Sequence, residues 1–405
     1  MSFQQGLSGL NAASKNLDVI GNNVANASTV GFKASVAQFA DVYANSLAGA
    51  GAGQIGIGTR LAAVVQQFTQ GNVTVTSNPL DVAINGNGFF RLSDNGAVTY
   101  SRNGQFHTDR DGYIVNASGK RLTGYGAVNG LLNTAAPVEL RIDTADLVPQ
   151  ATGSVAARVN LDSRSSVISA AFDVNDPATY TSSTAATVYD SLGNPHTLST
   201  YFVKTGANQW RVYGALDGAQ IGTGPLGSLN FISSGTIDTT TTSLPFSVSA
   251  PVATGAISPL TFDLDFAGST QFGSPFGVNA LSQDGYGPGR LAGFSVGGDG
   301  VILARYTNGQ SSVLGQVVLA NFANPTGLQP LGDNAWAETA DSGQPLVGAP
   351  GSSNLGLLQS AAVEDSNVDL TQELVNMITA QRVYQANAQT IKTQDAVMQT
   401  LVNLR

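Results

Sequence analysis

The 405-residue chain has no cysteine. Neither disulfides nor thiolate metal sites can therefore hold it together, and the redox state of its compartment stays open. Charge is also scarce. Only 11% of residues are charged, and 18 basic residues stand against 27 acidic ones. With no basic run to release counterions along a phosphate backbone, nucleic acid is not an expected partner. No stretch reaches the roughly 18 consecutive apolar residues of a membrane span, so no membrane insertion is expected. The opening residues, MSFQQGLSGLNAASKNL, lack a basic leader, a compact apolar run and a small-residue cleavage site. No cleaved secretory signal is expected, and the chain should be soluble until it meets a partner.

Catalytic signatures are missing as well. There is no Gly-x-Ser-x-Gly elbow, Walker loop or zinc-binding helix. The two histidines, His107 and His196, fall in different presumed domains without carboxylate or cysteine neighbours at ligand spacing. Ordinary surface or turn positions account for them. The expectation is a protein that is not an enzyme and has no cofactor or metal. Three local patterns come close to sites. Gly51-x-Gly53-x-x-Gly56 matches the dinucleotide fingerprint formally, but it follows no strand and precedes TRLAAVV, which reads as a strand; a linker is the better reading. Asp109-Arg110-Asp111-Gly112 hints at a calcium loop, yet the remaining ligands are missing and a hairpin turn suffices. Asp263 and Asp265 share one strand face, with Phe262, Leu264 and Phe266 on the other, so the pair marks a solvated side better than an acid/base site.

What the chain does have is 47 glycines and abundant Ser and Thr, a composition suited to short strands joined by tight turns. Its length is enough for two or three domains. Residues 80–125 alternate apolar and polar, with Asn-Gly, Asp-Gly or Ser-Gly about every eight residues, which predicts a strand meander. Asn103-Gly104 is one of its expected turns. A similar texture returns at 285–358. Between them, residues 146–284 hold no Glu and 10 Asp against 4 Lys and Arg, and read as an inserted, exposed all-β domain. The Gly-rich stretch 48–58 reads as a flexible connection.

Only the two ends carry helical periodicity. From Phe3 the stripe runs through Leu7, Leu10, Leu17 and Val24, widened by Ala13 and Ile20. From Leu370 it runs through Leu374, Met377, Tyr384, Ile391 and Met398, and Leu401 extends it. Asp369 is the expected N-cap, with Gln372 as its capping-box partner. At about 1.5 Å per residue these are rods of roughly 33 and 50 Å. Two isolated helices bury each other on one seam only, so a lone copy should hold them loosely and other copies should complete the burial. A head-to-tail contact that does not close gives a helical filament. The fold class expected is multidomain and mainly β with α-helical termini. Its nested plan is a terminal-helix domain (1–71 with 359–405), a middle β domain (72–145 with 285–358) and the outer β insert (146–284).

The stretch NLDVIGNNVANASTVGFK, with Thr29-x-Gly31-Phe32-Lys33, resembles the N-terminal signature of the bacterial flagellar rod and hook axial proteins. Residues 366–404 resemble the matching C-terminal signature. NGFFRL, YSRNGQF, LTGY, VYDSLGNPH, YFVK and LGQVVLANFANPTGL agree inside, so the likeness covers nearly the whole chain. The hook-type pattern fits best, since straight rod components lack an insert like 146–284. A distal rod-like component is the alternative within the family, and a β-rich surface adhesin or a hydrolase using Asp263 and Asp265 are alternatives outside it.

The resemblance implies a subunit of a hollow, curved homopolymer that acts as a universal joint between motor and filament, with terminal helices lining the core. It implies export by the flagellar type III apparatus to the extracellular hook, and contacts with distal rod, hook cap and hook–filament junction proteins. It also implies that Asn22, Asn23 and Asn26 supply side-chain hydrogen bonds at a turn leading outward, that Gly31 permits the bend, and that Thr29, Phe32 and Lys33 complete the signature.

Overall fold

A computed structural model describes residues 2–42, 56–128, 130–143 and 145–403, with the side chains of residues 2 and 401–403 left aside. The fingerprint-like glycines at 51 and 53, and most of the stretch 48–58, lie outside the described residues.

The chain divides into two compact units. The first comprises residues 1–143, 293–304 and 311–405. It begins with helix α1, Ser2–Ala25, and ends with helix α2, Leu370–Asn403. Asp369 caps α2, its Oδ1 accepting from the amides of Thr371 at 2.9 Å and Gln372 at 3.1 Å. The Gln372 side chain does not return to the cap as expected. It donates instead to Asn376 Oδ1, 3.1 Å away on the next turn, an ordinary i to i+4 pairing.

Helix α1 does not stand free, contrary to the expectation of two helices meeting on a single seam. Strands β1, Ser35–Val42, and β2, Gly58–Gln66, form an antiparallel hairpin against which α1 packs. The Ser8 hydroxyl accepts from the Thr59 amide at 3.3 Å, and Gln5 Nε2 donates to Gly56 O at 2.6 Å. The far end of β2 is anchored as well. Trp336 Nε1 donates to Gln66 Oε1 at 2.6 Å, and Phe68 meets Phe89 and Trp336 edge-on at 5.3 and 5.4 Å. Edge-to-face geometry suits the ring quadrupoles.

The body of this unit is a large antiparallel β structure in which early and late strands pair. Ser311–Val317 lies antiparallel to Arg121–Val128, Ala335–Ala337 to Ala97–Ser101, Leu357–Ser360 to Val82–Asn85, and Ala362–Glu364 to Val73–Val75. The last two pairings place the chain segment leading into α2 beside the one that follows β2. Asn95 and Gly96 both take positive φ, 50° and 94°, the turn that matches hairpin twist. Asn103-Gly104 departs from the expectation. Gly104 has ordinary φ and is no hairpin turn; a Cβ there would fall on the carbonyl oxygen of Val82, whose amide donates to Gly104 O at 2.9 Å. The glycine is there for close approach of two backbones.

The second unit, residues 144–292 and 305–310, is a pair of five-stranded sheets. In Leu260–Asp265 burial alternates strictly, with Leu260, Phe262 and Leu264 inside and Asp263 exposed, the period of two that the sequence showed. Asp263 accepts from Ser247 Oγ at 2.8 Å and Asp265 from the Ala267 amide at 2.9 Å, so each serves its own strand or turn. The core joins Trp210, Phe202, Phe266 and Leu229. The Trp210 indole donates to buried Gln271 Oε1 at 2.8 Å.

Replacing Gly104 with Ala should lower thermal stability by about 1–3 kcal/mol, because two backbones must separate to admit one methyl group. A melt by circular dichroism within a few tenths of a kcal/mol of the parent would show that the approach is not tight.

Candidate functional site

The signature residues cluster where the two termini meet. Asn23, at 1% exposure, clamps Ser35 in both directions: its Nδ2 donates to Ser35 O at 2.8 Å and its Oδ1 accepts from Ser35 N at 2.9 Å. The same Nδ2 reaches Glu373 Oε1 of α2 at 3.3 Å. Asn26 donates to Asn22 O at 3.0 Å and accepts from Thr29 Oγ1 at 3.2 Å. Asn22 contributes its backbone carbonyl alone; its side chain faces solvent. Phe32 is half-buried. Gly31 takes φ +72°, and a Cβ there would lie 2.6 Å from Asn103 N. Conformation and space both demand glycine.

Beyond this turn lies a charge cluster that sequence reasoning missed. Lys33, 0% exposed, places Nζ 2.7 Å from Glu364 Oε1, and Arg102 places a guanidinium nitrogen 3.2 Å from Glu364 Oε2. The Gly71 amide donates to Oε1 at 2.9 Å, and the Gly31 amide donates to the Glu364 backbone carbonyl at 2.8 Å. Lys33 also donates to Thr69 O and Arg102 to Gly86 O, both at 2.8 Å, while the guanidinium lies 5.5 Å from the Phe89 ring centre. Burial pushes both Lys33 and Arg102 below their ordinary pKa, against the pull of Glu364. One carboxylate thus ties the signature turn to the strand that leads into α2. Asn367 adds a second tie, accepting from the Ala34 amide at 2.7 Å and donating to Gln67 O at 2.7 Å. The sequence signal was a lone charge, Lys33, among apolar or small neighbours, and a Glu364 preceded by the apolar run Ala361-Ala362-Val363.

The stripe residues divide into two sets. Ile20 is buried, and Leu10, Leu17, Val24, Met377 and Ile391 are half-buried, with Ile391 at the contact of α1 with α2. That contact is close because small residues line it: a Cβ on Gly6 would meet Ile391 at 3.1 Å, and one on Gly9 would meet Asn387 at 2.6 Å. The remaining large side chains point away. Phe3 is 51% exposed, Leu7, Leu370, Leu374 and Tyr384 are exposed too, and Met398 is 62% exposed. The side chain of Leu401 lies outside the described residues. Among the described residues no helix is long and apolar enough to cross a membrane, and no group of acidic, His or Cys side chains could hold a metal ion.

In the second unit His196 corrects the surface reading. It is 7% exposed, with Nδ1 2.6 Å from Asp217 Oδ2 and Nε2 3.3 Å from Asp190 Oδ2. Asp190 is fully buried and also accepts from Thr254 Oγ1 at 2.6 Å, Asn194 Nδ2 at 2.9 Å and two backbone amides. With every carboxylate oxygen engaged, the cluster is a clasp across the turn of VYDSLGNPH. It has no poised nucleophile. Burial opposes charge on His196, but its hydrogen bonds to the two aspartates prevail and its pKa is raised above 6.5. His107 is exposed, as expected.

Two predictions follow from these buried charges. Glu364→Gln leaves Lys33 and Arg102 uncompensated and should destabilise the first unit by about 3–5 kcal/mol in urea unfolding; a loss under about 1 kcal/mol would mean the cluster is dispensable. For His196 the folded pKa exceeds the unfolded one, so its stabilisation is complete below about pH 6.5 and fades as pH rises through the folded value. The melting temperature of the second unit should fall as pH rises above about 6.5, and His196→Gln should flatten that decline.

Comparisons with known proteins converge on one group. Four family profiles match in order along the chain: flagella basal body rod protein at 3–33, flagellar hook protein FlgE/F/G D1 domain at 83–160, flagellar basal body protein FlaE D2 domain at 160–286, and flagellar basal body rod FlgEFG protein C-terminal at 359–404. The flagellar hook protein FlgE of Salmonella typhimurium is 45% identical over 419 residues, with 100% of both chains covered. That of Escherichia coli is 44% identical over 418 residues, again with 100% of both covered. That of Borreliella burgdorferi is 34% identical over 438 residues, covering 100% of this chain and 99% of its own. Among solved structures, the Helicobacter pylori flagellar hook protein FlgE2 superposes with a TM-score of 0.53 at 15% identity, covering 72% of this chain and 100% of that one, a likeness of fold.

Proposed function

The chain belongs to the flagellar hook protein FlgE family, and on that premise we propose that it acts as a hook subunit whose copies polymerise through the outward apolar faces of α1 and α2. Membership makes it a structural component of the flagellar hook, of a family of axial basal-body proteins. The observation that carries the polymer reading is the division of the terminal stripes. Within one copy, small residues such as Gly6 and Gly9 face the partner helix while Phe3, Leu7, Leu374 and Met398 face water. Unpartnered large apolar side chains on two neighbouring helices mark an interaction surface.

The remaining features give each part a role in such a tube. The lock around Glu364 couples the helices to the β body of the first unit, so that load on one reaches the other through a buried ion cluster and backbone pairing. The second unit, sparse in charge and acidic in balance, suits outer contacts that exchange as a curved tube rotates and its sides shorten in turn. Torque transmission as a universal joint then rests on tight inner and loose outer contacts. Export through the flagellar type III apparatus, and contacts with distal rod, cap and junction proteins, belong to the same reading. Full-length similarity that includes the insert supports a hook over a distal rod component. Catalysis by Asp263 and Asp265 has no support from their engaged hydrogen bonds.

Leu374→Asp should leave the monomer's circular dichroism and melting within about 0.5 kcal/mol of the parent, as expected for an exposed site, while abolishing sedimentable tubes under conditions in which the parent polymerises. Deleting residues 1–30 or 366–405 should do the same to assembly. Tubes that persisted without both helices would sink the proposal.

A further inference from the structure

A cavity of about 490 Å³ opens between α1, β1 and α2. Its walls are mainly apolar, from Ala12, Val19, Val36, Phe39 and Ala380. One wall residue is acidic. Glu373 spends Oε1 on Asn23, while Oε2 is buried and has no hydrogen-bond partner among the described residues. An unpaired carboxylate oxygen away from water is costly, and a cationic donor relieves it.

The same chain displays the complement. On α2, Val375, Ile378 and Arg382 are spaced i, i+3 and i+7, and therefore share one face. Val375 and Ile378 are 53% and 51% exposed, and Arg382 is exposed with no ion pair among the described residues. This ridge is nearly half a turn away from Glu373, Asn376, Ala380 and Asn387, four of the α2 residues that line the cavity. A copy cannot place its own ridge in its own cavity. A second copy can.

We propose that the Val375–Ile378–Arg382 ridge of one copy seats in the α1–β1–α2 cavity of the next, with the Arg382 guanidinium on the unpartnered oxygen of Glu373. The occupant is a second copy of this chain, argued from apolar matching and opposite charge. Because ridge and cavity are different surfaces, the contact is heterologous and propagates without closing on itself. It deepens the polymer reading and rests on it. The ion pair would be shielded within an apolar cleft, where truncating one partner is costly.

The test uses full-length chains under conditions in which the parent forms tubes, read by sedimentation and electron microscopy. Arg382→Glu copies have an acidic ridge and an acidic cavity; Glu373→Arg copies have a basic ridge and a basic cavity. Each alone should need on the order of ten-fold more protein to polymerise, or fail outright. Mixed in equal amounts they should copolymerise near the parental threshold, since every junction again joins opposite charges. Recovery of this kind cannot arise from misfolded chains. Ile378→Ser, with monomer helicity unchanged, should raise the threshold as well. If either charge variant polymerises alone as the parent does, the docking is wrong. It is equally wrong if two folded variants fail to rescue each other while the parent still forms tubes. A parent that forms no tubes under any condition would instead count against the polymer reading itself.

Discussion

A single buried carboxylate, Glu364, is the point on which the first unit turns. It lies on the last strand before α2, and its two oxygens hold Lys33 from the N-terminal signature and Arg102 from the meander. Three segments far apart in sequence are thereby fixed to one residue. Removing charges from water is expensive, and such an ion cluster is retained only where its geometry satisfies the donors. Here the Thr69 and Gly86 carbonyls accept from Lys33 and Arg102, and the Gly71 amide adds a further bond to the acid, while Arg102 Nε is left without a hydrogen-bond partner among the described residues. Apolar side chains of similar volume could fill the same space. They would not dictate which strand register meets which turn.

That constraint explains the arrangement of the signature. Gly31 must take positive φ and lie against Asn103, so that its own amide reaches the Glu364 carbonyl and Lys33 can follow into the interior. Asn23 then closes the loop behind it by gripping Ser35. The residues of the signature are thus engaged inside one copy, whereas the large apolar residues of the helices are left outside it. Locking the junction and exposing the helices are complementary: a rod that is to carry load between copies must first be rigidly joined to its own body.

The second unit follows a different logic. Its sheets are held by an alternating apolar core and by local clasps such as Asp190–His196–Asp217, with no comparable long-range ion cluster among its described residues. Two of its groups shift in opposite senses with protonation. His196 stabilises toward acid, whereas Asp190, with its pKa well below 3.8 through hydrogen bonds that outweigh burial, contributes stability that is lost as pH falls.

The sequence by itself determined the elements whose physics is local. Helical periodicity at the two ends, the Asp369 cap, alternation in Leu260–Asp265 and the Asn95-Gly96 turn each depend on residues within a few positions of one another, and each was legible. So was the family resemblance, because its motifs are contiguous. Only the tertiary structure decided what those motifs touch. Lys33 meets Glu364 from 331 residues away, and Glu364 holds Arg102 from 262 residues away, the clasp on His196 needs Asp217 from the turn after Gln209–Leu216, and Gly104 serves an approach to Val82 that no turn rule describes. Nor could periodicity divide the terminal stripes into inward and outward halves. That division depends on the β1–β2 hairpin and on the small residues that let α1 and α2 come close, and proximity in space is not encoded by spacing along a chain.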